Sequence, residues 1–228
     1  MPKSKIEWTD YTLNPIKGMC PRACPYCYAR RMYKRFKWNP SLRFEPQVML
    51  DLARLPDNSR VFIGSTMELF HANIPSEWLK RIFGFIKEAY WIKSIMLTKE
   101  PHNLKPWNPL PCWIGVSVDG TDNAPLGRML YTGFNNAKAK GKFISFEPLL
   151  AQTRLDPRDL EWAGIDWVII GSQTQPEKVP PLKWVKEIID AADKQGIPVF
   201  VKEPLATHYG ISCKEFPKGM KDATTSAV

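Results

Sequence analysis

Long apolar runs are missing from this 228-residue chain, so no transmembrane helix is expected. The opening Met1-Pro2-Lys3-Ser4-Lys5 has no apolar core segment behind it, which argues against a secretory leader. Five cysteines, an odd number, do not make a disulfide framework, and a reducing cytosol fits them better. Internal repeats and low-complexity segments are absent, which excludes solenoids and disordered arrays. No paired zinc finger or aromatic RNA-binding motif is present either. What the chain has instead is nine tryptophans, 21 prolines and a formal charge of +9. The prolines and aromatics suggest an enzyme with long connections. The charge permits nucleic-acid binding, but equally fits handling of small anions or simple solubility. The length suits one domain with a substantial core.

Apolar runs alternate with helical patterns along the whole chain. Strands are expected at Tyr11–Asn14, Arg60–Gly64, Ser94–Thr98, Trp113–Val118, Lys142–Phe146, Asp166–Gly171 and Pro198–Val201. Helices are expected from Pro25 through Phe36, Ser76 to about Ala89, Leu126 to Ala139, a short turn near Pro157–Ala163, and Leu182 to Lys194. The strands are continuous apolar runs, as when both faces are covered. Roughly 30 residues per βα unit give six or seven units, fewer than the eight of a closed barrel. The expected fold is therefore α/β, an incomplete (β/α)6-7 TIM-like barrel with parallel strands over residues 1–205. Residues 206–228 form an aperiodic C-terminal extension, frayed from Asp222 to Val228.

The chemistry is organised around Cys20-Pro21-Arg22-Ala23-Cys24-Pro25-Tyr26-Cys27. Three thiolates this close suit either an iron–sulfur cluster or zinc. A cubane held by three cysteines leaves one iron for chemistry, whereas structural zinc takes four ligands, usually in two pairs. A fourth would have to come from His71, Cys112, His208 or Cys213. In a parallel barrel, active sites lie at the carboxyl ends of strands. Those ends carry Ser65, Thr66, Glu68, Thr98, Lys99, Ser117, Asp119, Ser145, Glu147, Gly171, Ser172, Gln173, Lys202 and Glu203. Lys99, Glu147 and Lys202 are candidates for substrate contact or proton movement; a buried ion-pair network among them is the other reading. The basic face Arg30, Arg31, Lys34, Arg35 and Lys37 is either a solvated surface or an electropositive rim for an anionic substrate. His71 reads as a hydrogen-bonded structural histidine, Cys112 as a core thiol and Cys213 as incidental.

The cysteine motif resembles that of the radical S-adenosylmethionine (SAM) superfamily. The resemblance implies a [4Fe–4S] cluster on Cys20, Cys24 and Cys27, with SAM chelated at the open iron. It implies that Tyr26 meets the adenine, that Ser65, Thr66 and Glu68 stand where a Gly-Gly-Glu stretch receives the SAM amino group, that Ser117 and Asp119 bind ribose and carboxylate, and that Gly171 lets backbone approach the adenine. Reductive cleavage of SAM to a 5′-deoxyadenosyl radical, fed by a flavodoxin or ferredoxin, is the implied activity. The runs Ile6-Glu7-Trp8-Thr9-Asp10, Met67-Glu68-Leu69-Phe70-His71 and Ser145-Phe146-Glu147-Pro148-Leu149-Leu150 resemble a phage-associated radical SAM branch, distantly similar to spore photoproduct lyases. The alternative is a non-catalytic, metal-stabilised nucleic-acid-binding module.

Overall fold

Each of the seven expected apolar runs forms a strand. In the computed structural model, which describes residues 3–121, 126 and 130–221, these are β1 Tyr11–Leu13, β2 Arg60–Ile63, β3 Lys93–Thr98, β4 Trp113–Ser117, β5 Gly141–Phe146, β6 Trp167–Ile170 and β7 Val199–Val201. They lie side by side in chain order, every neighbouring pair parallel. Among the described residues β1 and β7 do not pair. The sheet curls into an incomplete TIM-like barrel, as the alternation of elements predicts. Helices α1 Tyr28–Phe36, α2 Ser76–Glu88, α3 Pro157–Ala163, α4 Leu182–Asp193 and α5 Leu205–Tyr209 complete the frame.

The period-2 pattern of a strand sends alternate residues to opposite faces, and both faces here are buried. Outward residues such as Ile114, Val116, Ile144, Val168 and Val199 pack with Leu79, Ile82 and Ile86 of α2 and Val185 and Ile188 of α4. Inward residues build a second, mostly aromatic core from Trp8, Phe62, Trp113, Phe143, Trp167 and Phe200. Trp8 sits edge-on to Trp167 at 6.2 Å and to Phe143 at 6.1 Å. A Cβ on Gly115 would come within 2.4 Å of the Phe143 ring, so glycine at that position is what admits the phenyl group. This aromatic plug fills the lower barrel below the cavity at the carboxyl ends of the strands.

Two local expectations are corrected. The first helix starts at Tyr28, with Cys27 as its cap, so Pro25 lies in the preceding loop. The expected helix from Leu126 to Ala139 falls partly on residues 127–129, which lie outside the described residues. Of its described residues Leu126 is helical and Leu130–Phe134 form one wide turn, while the chain after Phe134 is not helical. The stretch after Ala206 is aperiodic in sequence yet ordered. Lys214 bridges Phe200, the Trp167 indole Nε1 donates to the Glu215 carbonyl at 2.9 Å, and Phe216 packs against Trp167 at 5.3 Å. The frayed end expected from Asp222 to Val228 lies outside the described residues. Among the described residues no helix is long and apolar enough to cross a membrane.

Candidate active site

The cysteine loop follows β1, and its entry is set by backbone geometry. Gly18 has φ of 115°, and a Cβ there would fall 2.5 Å from the Ser41 carbonyl oxygen. Its N–H donates to the Tyr33 hydroxyl of α1 at 2.7 Å, and Met19 N–H donates to the Pro40 carbonyl at 2.9 Å. Ala23 turns the chain at φ 57°, and Cys27 N–H closes a turn on the Cys24 carbonyl at 3.1 Å. Arg30 of α1 reaches back to the Cys20 carbonyl at 3.1 Å. Held this way, Cys20, Cys24 and Cys27 line one cavity of about 390 Å³ at the carboxyl ends of the strands. All three are free thiols. Burial pushes the Cys20 and Cys24 thiols up; the Lys99 charge partly offsets this at Cys24.

The same cavity is lined by Tyr26, Ser65, Thr66, Glu68, Lys99, Ser117, Glu147 and Lys202. Asp119 and Gly171 do not line it. Glu68 is buried, and both of its carboxylate oxygens are occupied. Oε1 accepts from the Thr98 hydroxyl at 2.7 Å and Phe70 N–H at 3.3 Å, and Oε2 accepts from Lys99 N–H at 2.7 Å. Its own N–H points at the Cys20 Sγ, 3.2 Å away. Burial raises the Glu68 carboxyl above its usual range, and the three donors oppose that shift.

Lys99 and Asp119 belong to one network. Lys99 Nζ donates to Ser117 Oγ at 2.8 Å, lies 3.6 Å from Asp119 Oδ2 and stands 5.4 Å from the centre of the Tyr26 ring. The Tyr26 hydroxyl donates to Asp119 Oδ2, while Thr121 gives Oδ1 its backbone N–H at 2.9 Å and its hydroxyl at 2.6 Å. Burial alone would raise the Asp119 carboxyl, but the bonds from Thr121 and Tyr26 and the Lys99 charge hold it below the usual range. Burial and the adjacent carboxylate push the Tyr26 phenol up. Asp119 therefore braces Tyr26 and Lys99 from behind the cavity wall.

Glu147 and Lys202 form an ion pair. A Cβ on Gly171 would lie 3.2 Å from Glu147 Cγ and 3.4 Å from Lys202 Cδ, so glycine leaves room for the pair to cross that strand end. Asn14 is the functional residue that strand-end reading passed over. Its Oδ1 accepts from Thr66 N–H and the Thr66 hydroxyl, both at 3.1 Å, and its Nδ2 donates to Ser65 Oγ at 3.1 Å. It fixes the turn after β2, and the available signal was its own place at the end of β1. Ser145 and Ser172 also line the cavity at 1% and 5% exposure, and among the described residues neither hydroxyl has a partner. His71 lies outside the cavity, with Nδ1 accepting from Asn73 N–H at 3.1 Å. Cys112 and Cys213 also lie outside it, and burial pushes the Cys112 thiol up to about 12.

Among the described residues no group of three His, Cys, Asp or Glu stands where it could hold a metal ion. The three thiols nonetheless line one cavity. A zinc ion needs its ligands close about one centre, whereas a four-iron cluster takes thiolates at separate corners. Free thiols lining one cavity, with a backbone N–H directed at one sulfur, are a donor set of the chemistry that a cluster takes.

An open parallel α/β barrel with three free thiols at the carboxyl ends of its strands defines the class. The same fold occurs in spore photoproduct lyase. A cysteine-to-serine mutant of that enzyme matches with TM-score 0.58 and 14% identity over 87% of this chain and 77% of that one. Its complex with dinucleoside spore photoproduct gives 0.53 and 15%, covering 84% of this chain and 63% of that chain. A double mutant with bound AdoMet and dinucleoside spore photoproduct gives 0.50 and 14% over the same shares. At such identities the likeness is one of fold. No curated protein matches the chain. The chain belongs to the family described as "Protein of unknown function (DUF5131)", whose model matches residues 3–214.

Proposed function

We propose that this chain is a radical SAM enzyme. The observation that carries the reading is the delivery of Cys20, Cys24 and Cys27 to one cavity at the strands' carboxyl ends, beside Glu68 and Lys99. A solved structure of the same fold holds AdoMet, and about 390 Å³ lies within the range of small-molecule sites. Cys20, Cys24 and Cys27 would hold a [4Fe–4S] cluster. When bound, the cluster supplies an electron to the SAM sulfonium, yielding methionine and a 5′-deoxyadenosyl radical that abstracts a substrate hydrogen.

The chain's own residues prepare that chemistry. Glu68 N–H lowers electron density on the Cys20 sulfur, a contact that tunes cluster potential. The raised Cys20 and Cys24 thiols must lose protons to ligate, so cluster binding couples to proton release. Trp8, Phe62 and Leu97 give the cavity an apolar floor that excludes water. Lys99, braced by Asp119, offers a cation at the wall, and the Glu147–Lys202 pair offers a substrate contact on the far side. A flavodoxin or ferredoxin is the proposed electron donor, and a nucleotide or nucleic acid the proposed substrate class.

Anaerobic reconstitution with iron and sulfide, followed by reduction with SAM present, tests the reading. Brown protein that forms 5′-deoxyadenosine is expected. Colourless protein holding stoichiometric zinc would overturn it in favour of a metal-stabilised nucleic-acid-binding module.

The unpartnered Ser145 and Ser172 hydroxyls give a sharper prediction. Leaving a buried hydroxyl unpaired costs roughly 1–3 kcal/mol, so a ligand that supplies partners recovers it. Ser145→Ala and Ser172→Ala are each expected to leave the melting temperature unchanged or slightly higher. In calorimetry, each should weaken binding of SAM or substrate about fivefold. Unaltered affinity in both variants would mean that neither hydroxyl meets a ligand.

A further inference from the structure

The outer face of α1 carries an exposed apolar stripe that no described element of the fold covers. Tyr28, Met32 and Phe36 recur every four residues on one helix face, and they are 48%, 37% and 51% exposed. Lys37 ends the helix in the left-handed region at φ 52°, which folds Trp38 back beside it. Trp38, 46% exposed, stacks on Phe36 with ring centres 5.3 Å apart and planes 23° apart. The Arg35 guanidinium lies 5.3 Å from the Phe36 ring centre.

The stripe is embedded in positive charge. The helix sequence YARRMYKRF contains no acidic residue. Among the described residues Lys34, Arg35 and Lys37 make no ion pair. The stripe also has a direction. Tyr28 and Arg31, at its inner end, line the thiol cavity, and Phe36 lies two turns further out, roughly 12 Å along the helix axis.

Exposed aromatics in series, flanked by cations, are the features that hold unpaired nucleic acid. Bases stack on the rings and phosphates run along the charges. A duplex offers only its phosphates here, because its base faces are already stacked. An acidic protein partner would use the cations but would leave the Phe36–Trp38 stack without a planar group to receive. We propose that this face is a track for single-stranded nucleic acid, which leads an unpaired base over Tyr28 into the cavity. The proposal rests on the reading of the cavity as a radical SAM site and narrows its substrate class to single-stranded nucleic acid.

Fluorescence anisotropy of the reconstituted full chain with a labelled oligothymidylate of about 15 nucleotides tests it. Measurements run from about 50 to 200 mM salt, beside the same strand in a duplex. The single strand is expected to bind at least about tenfold tighter than the duplex. Phe36→Ala and Trp38→Ala should each weaken it about tenfold without changing the salt slope, as stacking requires. Trp38→Phe should retain binding within about twofold. Lys34→Gln with Arg35→Gln should reduce the slope of log K against log salt by about 1.4, two phosphate contacts on a single strand. Absence of binding at the lowest salt, equal affinity for duplex, or indifference to both alanine substitutions overturns the track. So does a Lys34/Arg35 effect confined to electron delivery from an acidic flavodoxin. Formation of 5′-deoxyadenosine without oligonucleotide is followed in parallel. Binding lost with that product retained rejects the track alone, whereas binding retained without that product rejects the SAM chemistry.

Discussion

Alanine at Cys20, Cys24 or Cys27 is expected to abolish cluster incorporation and to reduce 5′-deoxyadenosine formation to background. A cubane normally takes four cysteine ligands, and this loop has three. Removing one leaves two thiolates, and the chain has no nearby substitute, since Cys112 and Cys213 do not line the cavity. The fold should survive, because the loop lies above the aromatic plug and contributes no strand to the sheet. Iron and sulfide analysis should therefore fall to background while far-ultraviolet circular dichroism stays unchanged. Cys213→Ala and Cys112→Ala serve as controls that keep full iron content. Retention of a normal iron–sulfide complement in any one of the three loop variants would remove that residue from the ligand set.

The seven strands were legible because a sheet covered on both faces demands uninterrupted apolar runs, and Val61-Phe62-Ile63 or Val168-Ile169-Ile170 can do little else. The rim was legible as a consequence, since each strand end points the same way in a parallel sheet. What the strand ends do to one another was not. Asp119 braces Tyr26 across 93 positions, and Glu68 takes two of its three donors from residues 30 and 31 positions on. No local pattern encodes such pairs. The helix start was misplaced because proline favours a first helical position in general, whereas here the Cys24–Cys27 turn takes precedence. The ordered tail escaped notice because its anchors are single contacts, Phe216 on Trp167 and Glu215 under the indole, and not a periodic face. The exposed Phe36 and Trp38 were visible as residues, but their stack depends on the left-handed turn at Lys37.

Glu68→Gln is expected to be the most damaging single-atom-class change outside the thiols. The reason is the direction of its hydrogen bonds. Thr98 Oγ1 accepts from Glu100 N–H at 2.9 Å, so its proton is free to serve Glu68 Oε1 at 2.7 Å. Lys99 N–H and Phe70 N–H can only donate. Every contact made by this carboxylate thus requires an acceptor, and glutamine replaces one oxygen by an NH₂ donor. Whichever way the amide turns, one buried donor faces another. Such a loss costs roughly 1–3 kcal/mol, more where a charge was involved. In a chain of this length that lowers the melting temperature by about 2–12 °C. The injury reaches the thiols as well, since Glu68 N–H is the donor to the Cys20 sulfur. The variant should lose iron faster than the parent under a chelator. Glu147→Gln is the contrast: its Oε1 still accepts from Lys202, and the side chain is partly solvated at the cavity mouth. Its melting temperature should fall by less than about 4 °C. Thr98→Val combined with Glu68→Gln should cost less than the sum of the two, because both remove the same bond. Differential scanning calorimetry of the parent, the three single variants and the double variant, all cluster-free, decides the matter: a Glu68→Gln variant that melts with the parent would mean that the network does not brace this wall.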